Sequence, residues 1–308
     1  MILTVTLNPA LDDLVLVDHF RLHAKNFARS RRTFPGGKGF NVAKALAAQG
    51  QPVTALGFAG RADLDFYNRR LQSAGIRPAL VPIAHTRTNL KIIETGAGQE
   101  TEINEPGADV EHAEVDALLA LFDAELAGAT WLVVAGSAAP GVPDDLCADL
   151  IRRAAARGIP SLVDASGAIL REAIRAGPRS VRINRQELSE WSDRTLGSQA
   201  EIIAAVRSLL EAGAGQAVIS MGTSGALLVE GNEQWLARPP LLHAVNAVGA
   251  GDAMSAGLIG AWQRELAPPD DLRWATAAAA ASVLTLEPGV LDVEEAQRLL
   301  ERVEILAV

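Results

Sequence analysis

From Pro106-Gly107 onward the chain repeats one unit: a short apolar run, a turn of small residues, then a stretch with helical spacing. Glu111–Leu126, Asp144–Arg157, Gly167–Ala176 and Ser198–Ala212 read as helices. Thr130–Ala135, Pro160–Asp164, Ser180–Ile183 and Gln216–Ser220, which alternate with them, read as strands. Parallel strands need a crossover, and a crossover helix covers a face of the sheet, so this alternation predicts an α/β fold with a mainly parallel sheet and helices on both faces. Ile2–Leu7 and Gln51–Gly60 extend the sheet, with helices at Asn41–Ala47 and Asp63–Ala74. Ala226–Glu230 and Gln234–Leu236 predict a hairpin, and Ala250–Arg264, Asp270–Leu286 and Val293–Arg302 predict a helical last third.

Between Thr86 and Glu105 the pattern changes. Asn89–Glu94 and Gln99–Asn104 alternate polar and apolar residues and predict a hairpin about Gly96-Ala97-Gly98. With the extended residues 11–34 they would form a small β lid, about 11–34 and 84–105, inserted in a single domain spanning 1–308. Phe34–Gly39 is expected to be a loop.

Composition narrows the partners. A net charge of −9 and only 4% aromatic residues argue against nucleic acid. The single cysteine, Cys147, allows no internal disulfide and suits a reducing compartment. Ala275–Leu286, the most membrane-like run, is too short to span, and the first residues lack a basic signal segment. The expectation is a cytoplasmic protein with no membrane partner. Against the acidic total, residues 19–62 contain no Asp or Glu but carry Arg21, Lys25, Arg29, Arg31, Arg32, Lys38, Lys44 and Arg61. That segment fits either a small anionic ligand or a solvated basic face. Only four of the 28 basic residues are lysines: Lys25, Lys38, Lys44 and Lys91. A lysine kept in so arginine-rich a chain suggests a place that needs a compact ammonium.

Several chemistries lack their residues. Gly36-Gly37-Lys38-Gly39 does not have P-loop spacing, no G-x-G-x-x-G opens a helix, no G-x-S-x-G is present, and the five histidines lack metal-ligand spacing. Four small-residue turns at strand ends would instead line one cleft: Ala135-Gly136-Ser137, Asp164–Gly167, Ser220–Gly225 and Val248–Asp252. The last carries the sharpest signal. Gly249-Ala250-Gly251 opens a helix whose free N–H groups form an anion site, and Asp252 sits among them. A carboxylate there would repel a phosphate, unless its task is to remove a proton beside a transferring phosphoryl group. The same residues also fit a plain helix cap.

Taken together, the motifs resemble the ribokinase-like sugar kinases in their phosphofructokinase-B branch, nearly end to end. Thr6–Asp12 looks like the branch's N-terminal signature, Gly36–Ala43 its first glycine motif and Gly249–Asp252 its second. Asn184-Arg185-Gln186-Glu187 matches its N-x-x-E element, and Ser220-x-Gly222-x-x-Gly225 is similar to its nucleotide loop. The resemblance implies a Rossmann-like sheet with a small β lid and ATP-dependent phosphorylation of a sugar-phosphate hydroxyl. It implies Asp252 as base and Gly249, Ala250 and Gly251 as anion hole. Asp12, Gly37, Asn41 and Ser137 would hold sugar hydroxyls, and Lys25, Arg87 and either Lys38 or Arg29 the substrate's phosphate. Arg182, Asn184, Ser220, Gly222 and Gly225 would meet ATP, and Asn184 with Glu187 the Mg2+. Two positions depart from the family pattern: Arg182-Ile183 replaces its usual Lys-Pro, and Asn246-Ala247 replaces Asp or Ser followed by Thr. Lys38 and Thr86–Lys91 look most like 1-phosphofructokinases, with tagatose-6-phosphate kinases close. A fructose-6-phosphate kinase or a non-catalytic binding regulator stays open, as does a homodimer through the lid.

Overall fold

The computed structural model describes residues 1–95 and 99–308. The turn expected at Gly96–Gly98 lies outside them. Two sheets organise the chain. Among the described residues the larger has ten strands, and β1 (Ile2–Thr6) is the third from one edge. On one side of β1 lie β4 (Val53–Gly60) and β5 (Arg77–Ile83). On the other lie β8 (Trp131–Ala135), β9 (Ser161–Asp164), β10 (Ser180–Asn184) and β11 (Gln216–Ser220), all parallel. The antiparallel strands β12 (Ala226–Glu230), β13 (Glu233–Arg238) and β14 (Glu304–Ala307) finish that edge. The predicted mainly parallel sheet is therefore present. Its order reverses at β1, and in such sheets the crevice outside the strand C-termini at the reversal is where ligands bind.

Alternation along each strand sends side chains to two separate cores. Leu3 and Val5 of β1, and Leu132 and Val134 of β8, face α3 (His112–Leu126), α4 (Leu146–Ala155), α5 (Gly167–Arg175) and α7 (Gln199–Glu211). Ile2, Val133 and Ala135 face the opposite layer. That layer holds α1 (Lys38–Ala48), α2 (Leu64–Ser73), α8 (Ala250–Trp262), α9 (Asp270–Ser282) and α10 (Val293–Leu300). Helix α8 is buried on nearly every side because it lies between α1 and α9. A Cβ at Gly257 would stand 2.7 Å from the Ala275 backbone, so the helices meet through small residues.

The second sheet has the order β3-β2-β6-β7, from β2 (Ala10–Val17), β3 (Ala28–Gly36), β6 (Arg87–Glu94) and β7 (Glu100–Asn104). Three expectations change. Phe34–Gly36 is the end of β3 rather than loop, and Lys38 is already the first residue of α1. Strands β5 and β14 had no counterpart in the sequence; Pro78 and Pro82 mask β5, and they are tolerated because β5 is an edge. Asn184–Glu187 opens a further helix, α6 (Arg185–Ser192).

Leu258 is fully buried within α8. Leu258→Ala should lower stability by about 2–5 kcal/mol at unchanged m-value in urea unfolding, through lost burial and a residual cavity. A loss under about 1 kcal/mol would show that this layer collapses around the gap.

Candidate active site

The C-terminal ends of β8 to β11 and the first turn of α8 converge on one buried carboxylate, Asp164, the last residue of β9. It accepts hydrogen bonds from Lys38 Nζ (3.0 Å), Arg182 Nη1 (2.9 Å) and Ser255 Oγ (2.9 Å). Lys38 also reaches Glu187 Oε1 at 3.4 Å, and Arg182 Nη2 donates to Ser220 Oγ at 2.7 Å. Burial by itself would raise the Asp164 pKa, but Lys38 and then Arg182 hold it well below the usual carboxylate range. Burial works against the Lys38 ammonium too, and Asp164, Glu187 and Asp252 outweigh it and keep the charge.

The Asn184–Glu187 spacing has a local explanation. Glu187 N donates to Asn184 Oδ1 at 2.9 Å, and Asn184 N donates to Glu187 Oε2 at 2.8 Å. This is a reciprocal helix cap, and it turns the free Glu187 oxygen toward Lys38. Among the described residues no group of three or more His, Cys, Asp or Glu forms a metal cage. A Mg2+ delivered on nucleotide phosphates needs few protein ligands, and here Asn184 Oδ1 and both Glu187 oxygens are engaged with each other and with Lys38.

At the start of α8, Gly249 adopts φ +85° and Ala250 N is spent on Ala247 O at 3.3 Å. That leaves the N–H groups of Gly251 and Asp252 in the first turn, where a helix supplies no carbonyl partners. Gly251 is required by close approach: a Cβ there would lie 2.2 Å from Arg182 Nη1. The guanidinium therefore lies against the helix start, and together they make a cationic anion site. Asp252 is 4% exposed, and its Oδ2 accepts from Asn41 Nδ2 at 2.8 Å. Burial first, and then the Asp164 charge, push its pKa up to about 6, against the pull of Lys38, Asn41 and Arg182.

Two cavities flank this turn. One, of about 330 Å3, is lined by Arg182, Ser220, Gly222, Gly225, Ala247, Ala250 and Gly251 with an apolar wall that includes Met254 and Ala280. The other, of about 200 Å3, lies under the small sheet and is lined by Asp12, Asn89, Lys91, Glu102, Asn104, Asn246 and Val248, among others. The turn 246–251 is the wall between them. Asp12 Oδ1 accepts from Asn89 Nδ2 at 3.0 Å, and burial raises its pKa. Arg87 donates to Glu105 O, yet its Nε is buried without a partner. Asn89 Oδ1, Asn41 Oδ1 and Arg182 Nε are likewise unpaired within the protein. Unsatisfied buried polar atoms are uncommon, and others occur among residues that line neither cavity, at Thr4, Thr6, Gln216 and Arg273.

Not every sequence candidate joins them. Lys25 is exposed and makes no ion pair among the described residues. Ser137 is exposed, with its Oγ 3.2 Å from Asn8 Nδ2. Gly37 caps α1 beside Lys38. The acid-free segment 19–62 does not form one basic patch, because acids from elsewhere meet its residues: Arg29 pairs with Asp18, Arg31 with Asp13, Lys44 with Glu287 and Arg61 with Glu114. Asp164 and Lys91 were missed as site residues. Asp164 stood in one of the flagged turns and Lys91 among the retained lysines, so the signals were present. Lys91 Nζ lies 2.7 Å from Asn246 Oδ1, tying the small sheet to the turn before Gly249.

Comparison with known proteins agrees with this geometry. Residues 6–294 match the profile of the pfkB family carbohydrate kinases. The chain belongs to that family. It is 40% identical over 264 residues to a 1-phosphofructokinase of Xanthomonas campestris pv. campestris, covering 84% of this chain and 83% of that one. It is 37% identical over 278 residues to a 1-phosphofructokinase of Rhodobacter capsulatus, covering 90% and 88%. Phosphofructokinase-2 from Escherichia coli superposes with a TM-score of 0.91 at 29% identity, covering 98% of both chains. A pfkB carbohydrate kinase is an ATP-dependent phosphotransferase, and two adjoining cavities are what a two-substrate kinase needs. No helix among the described residues is long and apolar enough to cross a membrane.

The raised Asp252 pKa has a testable sign. A carboxyl that protonates more readily when folded contributes stability that is full below its ordinary value of 3.8 and is lost as pH rises through about 6. Asp252→Asn should therefore melt above the parent protein at pH 8, with the gap closing toward pH 4. A gap that does not change with pH would show that Asp252 titrates normally.

Proposed function

We propose that the chain phosphorylates the 6-hydroxyl of fructose 1-phosphate with MgATP, giving fructose 1,6-bisphosphate and ADP, with Asp252 as general base. The observation that carries this reading is the turn 246–251, which stands between the two cavities and leads into a buried carboxyl of raised pKa. ATP would occupy the Arg182–Ser220–Gly225 cavity, its base against the apolar wall and its phosphates toward Gly251 and Arg182. The sugar would lie under the lid, its hydroxyls on Asp12, Asn89 and Asn41 and its phosphate toward Arg87. Asn184 and Glu187 would meet the nucleotide's Mg2+, which neutralises phosphate charge when bound. Asp252 accepts the hydroxyl proton as the oxygen attacks the γ-phosphorus, while the N–H groups of Gly251 and Asp252 and the Arg182 guanidinium stabilise the developing charge. A base with a pKa near 6 is ionised at neutral pH yet basic enough to share a proton in the transition state.

The substrate assignment rests on the printed names of the relatives and on Arg87, since Lys91 in the lid cavity is already paired with Glu100 at 2.6 Å and lies 3.6 Å from Glu102. The four-stranded sheet serves as a lid, excluding water that would otherwise hydrolyse ATP. Its Ile103 is exposed, as are Leu22 and Phe27 in the β2–β3 connection. That apolar surface supports a homodimer through the lid. For comparison, one solved form of phosphofructokinase-2 from Escherichia coli is tetrameric. The single cysteine, free and buried, supports a cytoplasmic setting.

A coupled ADP assay across fructose 1-phosphate, fructose 6-phosphate, tagatose 6-phosphate and ribose should give the highest kcat/KM with fructose 1-phosphate. Preference for another sugar would reassign the substrate, and no turnover with any would favour a binding regulator. Asp252→Asn should lower kcat by about 10²–10⁴-fold with little change in ATP affinity. Arg87→Ala should raise KM for the sugar phosphate more than for ATP. An effect confined to ATP would misplace the phosphate.

A further inference from the structure

Of the four lysines only Lys91 lines either cavity, and Lys44 is the most deeply buried of the other three. It lies in α1 one helical turn beyond Asn41, so the two side chains leave the same face of the helix. Only 8% exposed, its ammonium is surrounded by acceptors: Pro288 O at 2.5 Å, Pro35 O at 3.4 Å and Glu287 Oε1 at 3.4 Å. The other Glu287 oxygen takes Arg70 at 3.2 Å. Burial lowers the Lys44 pKa, and Glu287, Asp12 and Asp252 pull it back up. The charge thus lies in the field of both carboxylates on which the reaction reading depends.

What this ammonium holds is a wedge. A Cβ on Gly289 would stand 2.6 Å from Asn41 Cα, and one on Gly249 would stand 2.9 Å from Gly289 N. Pro288-Gly289 is therefore pressed between the residue that donates to Asp252 and the residue that opens the α8 anion site. No backbone hydrogen bond joins 287–289 to α1, and Lys44 supplies that link from its own side chain.

We propose that Lys44 is a positioning residue for phosphoryl transfer: its ammonium pegs the 287–289 loop between Asn41 and Gly249 and so fixes the Asp252 carboxyl relative to the helix N-terminus. The inference rests on Asp252 as the base. Arginine cannot replace it without loss, since a planar guanidinium fork does not present three donors around one compact point. This accounts for a lysine at this position in a chain that otherwise chooses arginine.

The test uses the full-length enzyme. Lys44→Met keeps the aliphatic stem and removes the charge. It should lower kcat about 10–100-fold while both KM values stay within about threefold, as expected of a group that acts only on transition-state geometry. Amide exchange in the folded variant should quicken at 246–252 and 286–290 and stay unchanged in β8 and β9. Lys44→Ala should recover part of its lost kcat in ammonium or methylammonium but not in tetramethylammonium at equal ionic strength, with the parent enzyme in each salt as baseline. A kcat for Lys44→Met within twofold of the parent, a loss residing in KM, or failure of every amine to rescue Lys44→Ala would overturn the proposal. Should neither variant fold, Glu287→Gln leaves the loop carbonyls in place and should lower kcat about 3–10-fold with the same local exchange pattern; unchanged turnover there overturns it as well. Normal turnover in Asp252→Asn would sink the base and this inference with it, whereas normal turnover in Lys44→Met beside an impaired Asp252→Asn would sink the peg alone, so the two failures are distinguishable.

Discussion

The carboxylate of Asp164 is the interaction around which the site is built. A fully buried charge is tolerable only when its partners repay the lost hydration, and here Lys38, Arg182 and Ser255 do so together. Those partners come from the start of α1, from β10 and from α8, so one desolvated anion fixes three elements that are distant in sequence. Breaking any contact would leave charge uncompensated, and this penalty holds Arg182 against Gly251 more firmly than packing could. The cation that faces the anion site is thus placed by a residue that touches no substrate in the proposed reaction.

The same cluster separates two carboxyls. Asp164 and Asp252 share neighbours, yet Asp164 sits directly on the cations and stays ionised, while Asp252 has Asn41 as its hydrogen-bond donor and is raised by burial and by the Asp164 charge. Pairs of titrating groups pushed apart in this way are characteristic of sites that move protons. The arrangement follows from geometry: Asp252 lies in the first turn of α8, and Ser255, one turn further on, is what reaches Asp164.

The two cavities belong to two parts of the fold. The cavity lined by Arg182 and Ser220 is formed at the strand ends of the large sheet and is mostly apolar. The lid-side cavity is roofed by one face of the small sheet, where cross-strand register places Asp12 beside Asn89 and Leu14 beside Lys91. Lys91 on Asn246 joins roof to wall. Movement of the lid would consequently be felt at the turn that opens the anion site.

Much of this was legible in the residues. Hydrophobic periodicity and small-residue turns are local properties, so the parallel sheet, the lid strands and the helical last third could be read directly. The glycine-rich turn before Asp252 announced a helix start with free N–H groups, because the first turn of a helix exposes them whatever its surroundings. Strand β5 escaped because its prolines obey the rules of an edge, and being an edge is a property of the assembled sheet. The basic run 19–62 misled for a related reason: sequence shows that the segment lacks acids but not that Asp13, Asp18, Glu114 and Glu287 would fold onto it. The sequence by itself determined which elements form and which residues could bear chemistry, since propensity and side-chain type are set residue by residue. Only the tertiary structure decided which cation meets which carboxylate, because that depends on burial and long-range proximity, and it is this pairing that leaves Asp252 with a pKa suited to taking a proton.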